Sequence, residues 1–221
     1  MLLVVGLWHG FQITYSSDLK IVLGVLTLAI AVISYSLYIR DILRGTTKPH
    51  AISWVIWSVL STMVFVSQVH AGAGAGAWVT AFTAGVTFVI FLLSLTKGHE
   101  RISAVDWVCL IAAAITLLIW TRGAGELVAV VLACLIFILG LIPTLRKSWS
   151  APFEETAITF FLNGCKFCIA IFALEKLMLI SVIYPLTLTF ANWFLVLILI
   201  WRRRDPVLKT RRKHEKAIGA I

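Results

Sequence analysis

Seven stretches of this chain are each long and apolar enough to cross a lipid bilayer, and this constrains the fold more than any other feature. They cover residues 18–39, 50–70, 76–96, 104–121, 124–145, 156–174 and 177–201. A spanning helix needs about 20 mostly apolar residues. In lipid a segment must satisfy its own backbone hydrogen bonds, so each stretch is expected to be helical. The breaks between them carry turn chemistry: RGTTKPH, HAGAGAG, TKGHER, TRGAGE, RKSWSAPFEE and LEK. None is long enough to hold a separate domain. The chain is 61% hydrophobic and 13% charged, against about 45–50% and roughly 25% in soluble domains. It has too little polar surface for a water-facing globule. The expected fold class is therefore all-α, a polytopic membrane protein with the lipid bilayer as its first partner.

Residues 1–17 are apolar but shorter than a span, and they lack the basic start of a signal peptide; they are expected to lie at the interface. Residues 202–221 form a basic tail. The formal charge of +9 does not point to nucleic acid, because the basic residues cluster at segment ends and in the tail. Arg40, Arg44, Lys48, Lys97, Arg101, Arg146, Lys147 and the tail fall on one face; only Lys20, Arg122 and Lys176 fall on the other. The positive-inside rule then puts the C-terminus in the cytoplasm and the N-terminus outside. The expected location is the bacterial cytoplasmic (inner) membrane.

The chain also repeats itself. With a shift of 106 residues, LYIRDILRGTTKPHAISWVIWS (37–58) lies over PTLRKSWSAPFEETAITFFLNG (143–164), with Arg40 over Arg146 and Ser53-Trp54 over Thr159-Phe160. VTFVIFLLSLTK (86–97) lies over ANWFLVLILIWR (191–202) at a shift of 105. Spans 1–3 thus correspond to spans 5–7. Three spans reverse the chain's direction, and the single span 104–121 restores it, so the two triplets share one orientation. This is a parallel repeat about an axis along the membrane normal. The expected units are a triple-helix bundle over 18–96, a linker helix over 104–121 and a second bundle over 124–201.

Seven spans in a 3+1+3 order, with a short basic turn after spans 1 and 5, resemble the SWEET/PQ-loop superfamily of small transporters. The likeness covers residues 18–201. The family's Pro-Gln pair is degenerate: Pro143-Thr144 stands in its place in the second half and Leu37-Tyr38 in the first. The run KPHxxSWxIW, here Lys48-Pro49-His50 to Trp57, gives a closer resemblance to bacterial integral membrane proteins. The likeness implies alternating access, with Pro49 and Pro143 as hinges in two equivalent elbows. It also implies substrate binding at mid-depth, with an Asn on the third helix of a triplet; Asn192 matches, and Thr87 stands in the other half.

Counting depth at about 1.5 Å per residue gives a polar layer independently. Lys166, Asn192 and Thr87 come out near the centre of the bilayer core. Asn163 is one turn from Lys166 on the same face, and Ser58 and Ser61 add hydroxyls. Trp57 lies deeper than an interfacial aromatic belt requires. Polar groups at this depth face a bundle interior or a wet cavity. The candidate substrate-binding residues are Trp57, Ser58, Thr87, Asn163, Lys166 and Asn192. A Lys here is costly, about 2.5–3.5 kcal/mol on insertion scales.

Other motifs carry blander readings. The AGAGAGA run at 71–77 suits close helix packing. Cys165 and Cys168 form a C-x-x-C in mid-span, where a thiolate is disfavoured. His50 is expected as a solvated interface residue, and Thr46 and Thr47 as caps for the second helix. No cluster has metal-ligand spacing, and the acidic residues lie near segment ends or outside them, so no catalytic residue, cofactor or metal is expected. The reading is a transporter of a small polar solute, sugar-like or vitamin-like; a homo-oligomer is left open. The rival is a non-transporting scaffold, assembly partner or sensor.

Overall fold

The computed structural model describes residues 17–70, 78–99, 101–123, 125–174 and 179–210. The 71–77 run, residues 1–16 and the tail beyond 210 lie outside the described residues. Seven α-helices follow in order: α1 (Ser17–Leu43), α2 (Ala51–His70), α3 (Trp78–Lys97), α4 (Ala104–Thr121), α5 (Glu126–Ser150), α6 (Ala157–Phe172) and α7 (Leu179–Arg202). A single 3-10 turn, Pro152–Glu154, joins α5 to α6. Five helices are long and apolar enough to cross a membrane, namely α1, α3, α4, α5 and α7; α2 and α6 supply shorter apolar helices. Each matches an apolar stretch of the sequence. The largest difference is α5, which runs on to Ser150 rather than stopping near 145.

The architecture is that of a polytopic membrane protein. Large apolar side chains point outward along the helices: Val108 and Leu118 on α4, and Phe190 and Leu197 on α7, are each more than 60% exposed. In water this would be unstable; in lipid it is the expected surface. Inside, α2 packs along α3 and α6 along α7, while α1 lies on α6 and α2 on α5. α4 packs on α5. One buried cluster gathers Tyr35, Tyr38, Trp54, Trp57, Phe160 and Leu195 at the centre. A second, around Ile56, Leu60, Ala113 and Ile136, fills the space between α2, α4 and α5.

The basic ends of the helices meet. The first elbow closes α1 with Gly45 at φ +70, the left-handed residue that commonly ends a helix. Gly45 N donates to Ile42 O, and Thr46 N to Asp41 O, both at 3.0 Å. Thr46 therefore caps the end of α1 rather than the start of α2: its hydroxyl also donates to Asp41 O at 3.1 Å. Thr47 shares a 2.5 Å hydrogen bond with the Thr156 hydroxyl of the second elbow. The elbows are further joined by Lys48 N donating to Glu154 O at 3.0 Å. Pro49, buried just ahead of α2, accepts from His99 N at 3.0 Å through its carbonyl. Pro143 lies buried inside α5, which continues past it.

Candidate functional site

The polar layer is partly assembled. Trp57 (α2), Thr87 (α3), Asn163 (α6) and Asn192 (α7) line one small inner chamber of about 60 Å³, with Tyr35, Trp54, Phe160 and Tyr184 around them. Each polar group has a local partner. Thr87 Oγ1 donates to Thr83 O at 2.8 Å, and Asn192 Nδ2 donates to Leu188 O at 2.7 Å. Ser34 Oγ donates to Asn163 Oδ1 at 3.4 Å and to Thr159 O at 3.0 Å. Among the described residues, the Asn163 Nδ2 donors and the Asn192 Oδ1 acceptor have no hydrogen-bond partner. Trp57 is anchored to the neighbouring helix: its indole N–H donates to Phe137 O at 3.1 Å.

Two expected members sit elsewhere. Ser58 is buried but lines neither cavity; Ser61, nearly one turn further along α2, lines both. Lys166 lines a separate, larger cavity of about 610 Å³. That cavity lies toward the helix ends remote from the basic loops, between Ser67, Val79, Trp120, Ala129 and Leu174. It shares Ser61, Thr83, Phe167 and Tyr184 with the inner chamber, so the two adjoin. Pro49 and Pro143 are at the basic end and line neither.

Between the inner chamber and the basic end lie two layers. The first is aromatic. Tyr38 and Trp54 have ring centroids 4.9 Å apart, Trp54 meets Trp57 edge-on at 5.2 Å, and Phe160 packs edge-on against Tyr38 at 6.1 Å. The second is ionic, and the Lys147–Glu155 pair at its centre is fully buried. Lys147 pairs with Glu155, whose other carboxylate oxygen accepts from the Tyr38 hydroxyl. Lys147 Nζ also donates to Lys48 O at 2.8 Å and Glu154 O at 3.0 Å. Arg203, just past the end of α7, donates to Pro152 O at 2.9 Å and to Glu155 O at 2.5 Å. Asp41 accepts from Thr156 at 3.0 Å.

A neighbouring cluster clasps α4 to α5. Asp106 is fully buried, accepts from Arg146 Nε at 3.0 Å, and closes a capping box with Ser103. His50 is also fully buried, 3.4 Å from Asp106, and neither ring nitrogen has a hydrogen-bond partner. The expectation of a solvated His50 is corrected: residues 47–50 are held inward by Lys48 N donating to Glu154 O and by Pro49 O accepting from His99 N, and the ring is buried with them. None of Tyr38, Asp106, Arg146, Lys147 or Glu155 was singled out from the sequence as a site residue. Asp106 had a legible signal, since Ser103-x-x-Asp106 ahead of an apolar run is a capping-box spacing.

Glu154 sits at the rim, with Lys48 Nζ at 3.2 Å and His99 Nδ1 at 3.0 Å. Partial burial works against its charge, yet His99 and Lys48 outweigh it and hold the carboxyl down at about 2. A carboxylate depressed in the folded state adds stability that is complete above its ordinary value and is lost as pH falls through the depressed one. The melting temperature of the purified protein is therefore expected to drop between pH 4.5 and pH 2. Glu154→Gln should flatten that slope and lower the melting temperature at pH 7. An unchanged slope would mean the elbows are not held by this carboxylate.

Comparison with family models, with curated proteins and with solved structures finds no match.

Proposed function

We propose that this chain is a transporter of a small polar solute, working by alternating access between two triple-helix bundles. One observation carries the reading. A large cavity lies toward the end remote from the basic loops and adjoins the inner chamber of Thr87, Asn163 and Asn192, while buried aromatic and ionic layers lie on the other side of that chamber. A wet path open on one side and barred on the other is one half of an alternating-access cycle. With the basic end in the cytoplasm, as the positive-inside rule has it, the cavity faces outward.

The helix pairing supports the repeat and the SWEET-like resemblance. A shift of about 106 residues exchanges the α2–α3 pair with α6–α7, and the α1–α6 pair with α5–α2. Asp41 and Lys147 are equivalents in that shift. Each ends the first helix of its triplet and reaches the elbow of the other triplet, Thr156 and Lys48 O respectively. Such crossed fasteners are what two rocking bundles would make and break.

A non-transporting scaffold or sensor is favoured by a different observation: the inner chamber holds only about 60 Å³, and Thr87 and Asn192 each bond within their own helix. The two readings separate by experiment. Purified protein is screened against sugars, vitamins and amino acids by thermal shift, and hits are followed by counterflow in proteoliposomes. Stabilisation by a solute that also exchanges across the vesicle wall, both weakened by Asn163→Ala, is the expected result. Stabilisation with no exchange would favour the sensor, and no response in either assay would favour the scaffold.

A further inference from the structure

Lys166 gives the outer cavity a basic group. Among the described residues it is the only charged side chain lining either cavity, and it is 3% exposed. Its ammonium lies over the Phe167 ring at 4.3 Å and the Tyr35 ring at 5.3 Å. Aromatic faces attract a cation, but they are not oxygen acceptors for the three N–H donors a lysine carries. No described side chain supplies a carboxylate. Asp41, Asp106, Glu154, Glu155 and Asp205 all sit at the basic end, each with a polar or charged partner there.

We propose that the solute is a small organic acid, bound as its carboxylate with Lys166 as the counter-ion. The inference rests on the transport reading above and names its substrate class. A cation in low dielectric without a partner is costly, and an entering carboxylate supplies both the charge and the oxygens. A neutral sugar supplies only oxygens, and a cationic solute would be repelled. The hydroxyls of Ser61, Thr83 and Tyr184 flank the ammonium's cavity and suit polar groups on the acid. Val64, Val130 and Pro185 form an apolar wall for its carbon body.

The test uses a cysteine at Thr83, which lines both cavities, with the four native cysteines replaced by alanine. Membrane-impermeant methanethiosulfonate reagents are applied from the cavity side, one carrying a sulfonate and one a trimethylammonium group. Relative to their rates with a free thiol, the anionic reagent should be favoured about tenfold, the low end of what a charged cleft achieves. Lys166→Gln should abolish the preference and Lys166→Arg should keep it. Failure of both reagents to reach Thr83→Cys would overturn the open cavity, and with it the transport reading. Reaction without charge preference, or a preference that survives in Lys166→Gln, would overturn the carboxylate assignment and leave the cavity standing.

Discussion

Glu155→Gln is expected to unfasten the basic end of the protein. In the wild type the Glu155 carboxylate meets the buried Lys147 ammonium with one oxygen and the Tyr38 hydroxyl with the other. Both charged residues are almost wholly excluded from solvent. The amide keeps the shape and can still accept from Tyr38, but it strands the lysine charge in the interior. Removing one partner of a buried pair costs about 3–5 kcal/mol, which corresponds to roughly two to four orders of magnitude in an equilibrium constant. Relief comes from opening the elbows and wetting Lys147. Ser53 reports this directly: it is fully buried below the pair and accepts from Thr144 Oγ1 at 2.8 Å. Thiol labelling of Ser53→Cys from the basic side should rise about a hundredfold or more in the Glu155→Gln background, the lower bound of that range. The double variant Lys147→Met/Glu155→Met removes the charge along with its partner and should return labelling toward the wild-type rate. A lower melting temperature with no gain in labelling would show the pair to be a structural staple and not a gate.

The helices, the inner chamber and the closed basic end differ in how far they were legible in the sequence. Helices were legible because a bilayer imposes length and hydrophobicity on each segment independently of the others. The chamber was legible for a related reason. Depth depends only on the rise of about 1.5 Å per residue; that arithmetic brings Lys166, Asn192 and Thr87 near the bilayer centre, with Asn163 a turn from Lys166 and Trp57 below the interfacial belt, and Trp57, Thr87, Asn163 and Asn192 do line one chamber. Azimuth is a different matter. Lys166 follows Asn163 by three residues, about 300° of turn and 4.5 Å of rise. That is enough to move it into the outer cavity. Ser58 and Ser61 differ by the same step, and only Ser61 reaches the path. Of the basic-end closure, only the Ser103–Asp106 capping-box spacing was legible. Arg146 and Lys147 look like ordinary positive-inside residues, which is why α5 was expected to end before them. Their partners, Asp106 and Glu155, lie on other elements, and only the packing of α5 against α4 and both elbows turns these charges inward.

Gly140→Ala should be the most disruptive single-methyl change in the membrane interior. Gly140 lies on α5 where α2 crosses it. A Cβ there would stand 2.7 Å from Trp57 Nε1, 2.9 Å from Trp57 Cδ1 and 3.1 Å from Ile56 Cγ2. The indole cannot simply step aside. Its N–H is held by Phe137 O at 3.1 Å, its face stacks on Phe137 at 5.6 Å, and its edge meets Trp54 at 5.2 Å. Overpacking of a filled core costs about 1–3 kcal/mol, and a broken hydrogen bond adds about 0.5–1.5 kcal/mol. Gly164 makes an informative comparison. A Cβ there would come nearer still, 2.2 Å from Trp193 Nε1. Trp193, however, is only half-buried, and its bond to Phe161 O is longer, at 3.3 Å. It has room to swing outward. Gly164→Ala should therefore cost less than Gly140→Ala in a thermal-unfolding assay, although its bare contact distance is shorter. The Gly140 variant should also quench or shift Trp57 fluorescence, isolated by replacing the other tryptophans with phenylalanine. Equal destabilisation by the two alanines would mean that Trp57 is as free to move as Trp193, and that the aromatic layer closing the path is softer than its contacts make it.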